Sequence, residues 1–146
     1  MDAKAATPAT RALVDTNIII LRADLDPAVL PEQIAISAVT LAELAAGVHL
    51  VDKDDAGERA RRVAILQRVE HEFDPLPFDA ASARIFGRLA AAVAARGRTP
   101  RRRSADLMIA ATAAAHGLPL YTTNGTDFEG LEGIVTVVAL ERPIGP

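Results

Sequence analysis

Apolar residues fall along this chain in two rhythms. Short unbroken runs alternate with longer stretches in which apolar positions recur every three or four residues. The short runs are "ALVD" (12–15), "IAIS" (34–37), "DPLPF" (74–78), "LYTT" (120–123) and "IVTVVAL" (134–140), and they predict five strands. Proline lacks the N–H that a sheet ladder needs, so the run at 74–78 belongs at an edge. The longer rhythm predicts a short helix from Thr16 through Leu21 and a second over 40–51. A third spans 56–73, where Ala60, Val63, Ile65, Leu66 and Val69 form an apolar stripe between charged faces. Asp79 caps a long alanine-rich helix that ends near Gly97. Ser104 caps a fifth over 105–117, closed by Gly117 and Pro119.

Strands separated by helices imply an α/β fold with a mostly parallel five-stranded sheet and helices on both faces. The 146 residues suit one domain, 11–146, preceded by a flexible N-terminal arm over 1–10. Half the residues are hydrophobic but only 3% are aromatic, so Ala, Val, Leu and Ile must do the packing. Phe73, Phe78, Phe86, Tyr121 and Phe128 are expected in the core rather than as platforms for bases. The chain has no cysteine, which removes disulfide frameworks and thiolate zinc sites. No apolar run reaches membrane-spanning length, and the opening residues lack a secretory segment. A cytoplasmic protein is expected, with no membrane partner.

The net charge of −3 is unevenly spread. Residues 80–105 contain no acid but include Arg84, Arg88, Arg96, Arg98, Arg101, Arg102 and Arg103. A basic block on an acidic protein suits either a solvated face or a local grip on a polyanion. Arg98, Arg101, Arg102 and Arg103 are the candidates for the second role, because a guanidinium fork matches phosphate geometry.

Four acids stand out by position. Asp15 ends the first strand, Glu43 follows the second, Asp106 opens the helix before the fourth, and Asp127 follows the fourth. Each has an ordinary explanation. Asp15 can cap the helix starting at Thr16, and Thr40 with Glu43 makes a capping box. Asp106 lies in a first helical turn, where the dipole favours an anion, and Asp127 lies in a turn sequence. Topology unites them. In a parallel α/β domain, helices that follow or feed strands begin at the carboxyl edge of the sheet, where ligands bind. Carboxylates gathered there must protonate or share a cation. Oxygen ligands without cysteine or clustered histidine select Mg²⁺ or Mn²⁺ over Zn²⁺. His49, His71 and His116 have no metal-ligand spacing, and the chain has no G-x-S-x-G, P-loop or G-x-G-x-x-G.

The segments "LVDTNIII", "ISAVTLAELAAGV", "PFDAASA", "ADLMIAATA" and "LYTTNGTDF" follow one another in an order that resembles the PIN-domain ribonucleases, and among them the VapC toxins of toxin–antitoxin pairs. The resemblance runs from about Leu13 to Leu140. It implies metal-dependent endonucleolytic cleavage of RNA, with Asp15, Glu43, Asp106 and Asp127 as the acidic residues. It also implies supporting roles for Thr16, Thr122 and Asn124, a cognate VapB-like antitoxin covering the acidic groove, and a homodimer. Two other functions fit the acids: a PIN nuclease that matures ribosomal or transfer RNA, and a non-catalytic α/β binding module in which they are helix caps. A phosphotransferase of the haloacid-dehalogenase type also places Asp after its first strand, but it wants a second Asp where this chain has Asn17.

Overall fold

The computed structural model describes residues 8–143. Four parallel strands form one sheet: β1 (Arg11–Val14), β2 (Gln33–Ala35), β3 (Leu120–Thr122) and β4 (Val137–Ala139), in the order β2-β1-β3-β4. Five α-helices surround it: α1 (Thr16–Leu21), α2 (Ala38–His49), α3 (Ala56–Glu72), α4 (Ala80–Ala95) and α5 (Ser104–Ala115).

The expected strand at 74–78 is the exception. Leu76 forms a single parallel bridge to Ser37, its N–H donating to the Ile36 carbonyl at 2.9 Å and its carbonyl accepting from Ala38 N at 2.8 Å. Pro75 and Pro77 flank it with their backbones turned to the opposite side, where the missing N–H groups leave no ladder for a further strand, as suits an edge. The run at 134–140 also shortens. Ile134 and Val135 donate back to Leu131, and only Val137–Ala139 pairs with β3.

Side-chain alternation along β1 builds two cores. Leu13 points to the face covered by α4 and α5, where Leu89, Val93, Leu107, Leu120 and Phe128 pack. Ala12 and Val14 point to the other face, with Ile18, Ile36, Leu44, Val69 and Tyr121. Helices therefore do lie on both faces. Helix α5 buries Leu107, Ile109, Ala110, Ala111, Thr112 and Ala113, and its alanines let α4 lie close along it. Tyr121 and Phe128 are buried, and Phe78 meets Phe86 edge to face with centroids 6.3 Å apart. Tyr121 and Phe128 are core residues, as expected, whereas Phe73, Phe78 and Phe86 are half-buried and pack against the two cores.

Asp79 caps α4 by accepting from Ser82 N at 2.9 Å, and Gly97 and Gly117, at φ of 76° and 68°, end α4 and α5 in the left-handed conformation that glycine adopts freely. Two other caps differ from expectation. Ser37 rather than Thr40 caps α2, accepting from Val39 N at 2.9 Å. Ser104 is the first residue of α5 instead of its cap, and its hydroxyl donates to the Arg101 carbonyl. Part of the expected arm is also tied down: Ala9 N donates to the Tyr121 hydroxyl at 2.9 Å, and Gln33 N to the Thr10 carbonyl at 2.8 Å. Residues 1–7 of that arm lie outside the described residues. Among the described residues, no helix is long and apolar enough to cross a membrane.

Candidate active site

Strands β1 and β3 pair with Val14 opposite Tyr121, so the residues that follow, Asp15 and Thr122, meet at the carboxyl edge. Asp15 N donates to the Tyr121 carbonyl at 3.0 Å, which fixes the junction. Asp15 is only 5% exposed, and both its carboxylate oxygens are held. Oδ1 accepts from Ile18 N at 3.1 Å, capping α1, and Oδ2 accepts from the Thr122 hydroxyl. The Thr122 oxygen in turn accepts from Asn124 N at 3.0 Å. Asn124 thus supports the site through its backbone N–H.

Glu43 lies in the second turn of α2, beyond the reach of any capping box, and projects towards α1. The Thr16 and Thr40 hydroxyls are 3.1 Å apart, and Thr16 Oγ1 is 2.6 Å from Glu43 Oε1. Thr16 has one proton to give, and the shorter distance assigns it to Glu43. The buried Thr40 hydroxyl then donates to Thr16. The sequence reading missed Thr40 in this role, having read it as a cap.

Asp15, Thr16, Asn17, Glu43 and Asp106 line one cavity of about 460 Å³. Burial pushes the Asp15 carboxyl above its usual range, although the bonds from Thr122 and Ile18 pull the other way. Burial also raises Asp106, to about 6, and the charges of Glu43, Asp127 and Asp15 add to the shift. Three of the four expected acids therefore share a cavity in which negative charge is already crowded.

The fourth, Asp127, does not line that cavity. It sits in a 3-10 turn (Gly125–Phe128), where its carboxylate pairs with Arg103 at 3.1 Å. Its field still reaches Asp106. Of the four candidate RNA-binding arginines, Arg101 and Arg102 are exposed in a 3-10 turn (Pro100–Arg103), and Arg98 is half-buried after Gly97. Arg103 is engaged with Asp127 rather than free.

The opposite wall of the cavity comes from α3, with Glu58, Arg61 and Arg62. The sequence signal for it, "ERARR" at 58–62, belongs to the charged faces that flank the apolar stripe of this helix.

Every donor at the acidic end is a hard oxygen, as Mg²⁺ or Mn²⁺ requires. Among the described residues, no three Asp, Glu or His side chains close into a ready-made ligand set. Mg²⁺ needs no such cage, because it keeps several waters and takes one or two carboxylates directly. The donor set and its crowded charge fit that ion.

Comparison with known proteins agrees with this geometry. The family model of the PIN domain matches residues 12–134. Ribonuclease VapC5 of Mycobacterium tuberculosis is 40% identical over 134 residues, covering 90% of this chain and 94% of that protein. The tRNA(fMet)-specific endonuclease VapC of Shigella flexneri is 34% identical over 131 residues, 85% of this chain and 94% of its own. Among solved structures, VapBC-5 from Mycobacterium tuberculosis, of the VapBC family of toxin-antitoxin systems, superposes with a TM-score of 0.75 at 37% identity, covering 90% of this chain and 98% of that one. The sheet order, the acids gathered at its carboxyl edge and these matches lead to one assignment: the chain belongs to the PIN-domain family, in its VapC branch.

Proposed function

We propose that this protein is an endoribonuclease, the toxin of a toxin–antitoxin pair, and that Asp15, Glu43 and Asp106 are its catalytic acids around Mg²⁺ or Mn²⁺. The observation that carries this reading is the burial of Asp15 in one cavity with Glu43 and Asp106. Carboxylates alone repel a phosphodiester, so the site needs a cation before it can receive RNA.

Asp15 and Asp106 are the principal ligands. When bound, a divalent ion supplies Lewis-acid stabilisation of the phosphoryl oxygens and lowers the pKa of a coordinated water. Asp15 gives a fixed anchor, because two bonds hold its carboxylate in one orientation. Glu43 has one oxygen committed to Thr16, which leaves the other to accept a proton from the attacking water and to aim it. Thr16 and Thr122 hold these carboxylates in place, and the Asn124 backbone holds Thr122. Asp127 acts from outside the cavity, by orienting Arg103 and by its charge on Asp106.

Arg101 and Arg102, exposed at the start of α5, contact phosphates beyond the scissile bond. A VapB-like antitoxin covers the acidic groove, and two copies of the chain pair as a homodimer; mass measured in solution, with and without the antitoxin, checks both. Incubating the purified protein with structured RNAs, transfer RNA included, over a range of Mg²⁺ and Mn²⁺ tests the activity. Internal cleavage that requires the metal and is lost in Asp15→Asn is the expected result. Cleavage in EDTA, or equal cleavage by the variant, overturns the assignment.

A further inference from the structure

The cavity does not end at the acids. Beyond Glu43 it continues over the aliphatic side chains of Ile20, Leu44 and Ile65 to the α3 wall. Its volume of about 460 Å³ lies within the ~300–1,000 Å³ range in which proteins take up small organic groups.

The charges on that wall are unequal. Arg62 is fixed, its Nε donating to Glu58 Oε2 at 2.7 Å and its Nη1 to the Gly47 carbonyl at 2.8 Å. Arg61 reaches the same Glu58 oxygen only at 3.5 Å, and its side chain is 54% exposed. One carboxylate thus answers two guanidiniums, and its short bond goes to Arg62. The far wall keeps a surplus positive charge on Arg61, while the near end carries the crowded acids. Apolar surface lies between.

We infer that this part of the cavity is a subsite for one unpaired ribonucleotide flanking the scissile bond, with its base on Leu44 and Ile65 and its phosphate on Arg61. The inference rests on the nuclease reading above and deepens it. A phosphodiester chain brings an anion to each end of the cavity, one for the cation at the acids and one for Arg61. The apolar stretch between them removes a base face from water. A base can enter such a pocket only when it is out of its helical stack, so the subsite selects single-stranded loops over duplex.

The test is an NMR titration of the Mg²⁺-loaded protein with each of the four ribonucleoside 5′-monophosphates, beside the nucleosides and inorganic phosphate. A monophosphate has no phosphodiester bond, so binding is read apart from cleavage. At least one nucleotide is expected to shift the Leu44 and Ile65 methyl signals more than its nucleoside or phosphate does. Arg61→Gln, on an exposed helical position, is expected to weaken that binding roughly tenfold, the usual worth of a hydrogen bond to a charged group. With a labelled single-stranded oligoribonucleotide and the Asp15→Asn protein, the same change is expected to lower the slope of log affinity against log salt by about 0.7.

The inference is overturned if no nucleotide moves those methyls, or if Arg61→Gln leaves nucleotide and RNA binding unchanged. It is also overturned if Arg61→Gln weakens only binding of the antitoxin. Metal-dependent cleavage that persists while nucleotides ignore the cavity removes the subsite and leaves the nuclease reading standing. Nucleotide binding without any cleavage removes the nuclease reading, and with it the flanking role.

Discussion

The guanidinium of Arg103 grips residue 127 twice, donating to the Asp127 backbone carbonyl at 2.9 Å and pairing with its carboxylate at 3.1 Å. The pair ties the turn before α5 to the turn after β3. It also sets Arg103 apart from its two exposed neighbours, since its Nη1 is already committed to Asp127.

Neutralising the loop one residue at a time separates the two roles. Arg101→Gln and Arg102→Gln are each expected to reduce the salt slope of RNA binding by about 0.7, the value for one lost contact to a single strand. Arg103→Gln is expected to reduce it less. Its cost falls on stability, at no more than about 1 kcal/mol for a partly exposed pair, or roughly 2–4 °C in Tm. Fluorescence anisotropy and thermal melts read the two effects. Asp127→Asn is expected to slow cleavage less than Asp15→Asn does.

The Thr40–Thr16–Glu43 chain predicts a graded series. Thr16→Val removes the proton that fixes Glu43 and is expected to lower kcat by about 10- to 100-fold, the usual cost of losing a group that orients a ligand. Thr40→Val leaves Thr16 in place but unsupported, and a smaller loss is expected. Thr16→Ser keeps the hydroxyl and should retain most activity. Single-turnover kinetics at saturating RNA, with circular dichroism as a control for folding, distinguish the three.

Asp106→Asn should separate function from stability. Losing a ligand is expected to lower cleavage by at least about 100-fold, beyond the usual cost of its outer partners. The same change removes a charge that Glu43, Asp127 and Asp15 repel. The metal-free variant should therefore melt higher than the parent, by about 2–4 °C for a gain of roughly 1 kcal/mol.

The sign of the pH dependence follows from the same group. The folded chain holds a proton on Asp106 up to about pH 6, whereas the unfolded chain releases it near 3.8. Between those values the folded state binds more protons, so metal-free stability falls as pH rises through the window. The loss is on the order of 1–2 kcal/mol once solvent screening is allowed for. Saturating Mg²⁺ binds the ionised site and should reverse the trend above about pH 6. Denaturant melts from pH 4 to pH 8, with Mg²⁺ and with EDTA, check both limbs.

The acids could be read from the chain because their placement depends on topology alone. Once parallel strands end at Val14 and Thr122 and α5 runs back towards β3, Asp15 and Asp106 must share an edge. The caps were harder. Ser37 and Thr40 are both hydroxyl residues near the start of α2, and the choice between them is made by Leu76, which holds Ile36 and Ala38 from outside the local sequence. The run at 74–78 had the apolar content of a strand, but it pairs through Leu76 alone, and its prolines offer no N–H on the outer side. Arg103 could not be separated from Arg101 and Arg102, because its partner lies 24 residues away. The α3 wall was hidden for a similar reason: helical periodicity marks a charged face but does not say whether another helix folds over it.

The cavity draws on residues from Asp15 to Asp106, and the bond from Thr122 to Asp15 joins positions 107 apart. A ribosome must therefore have released β3 before the Asp15 carboxylate is held in its final orientation. The acidic site is a late product of synthesis, completed from segments that leave the ribosome far apart in time.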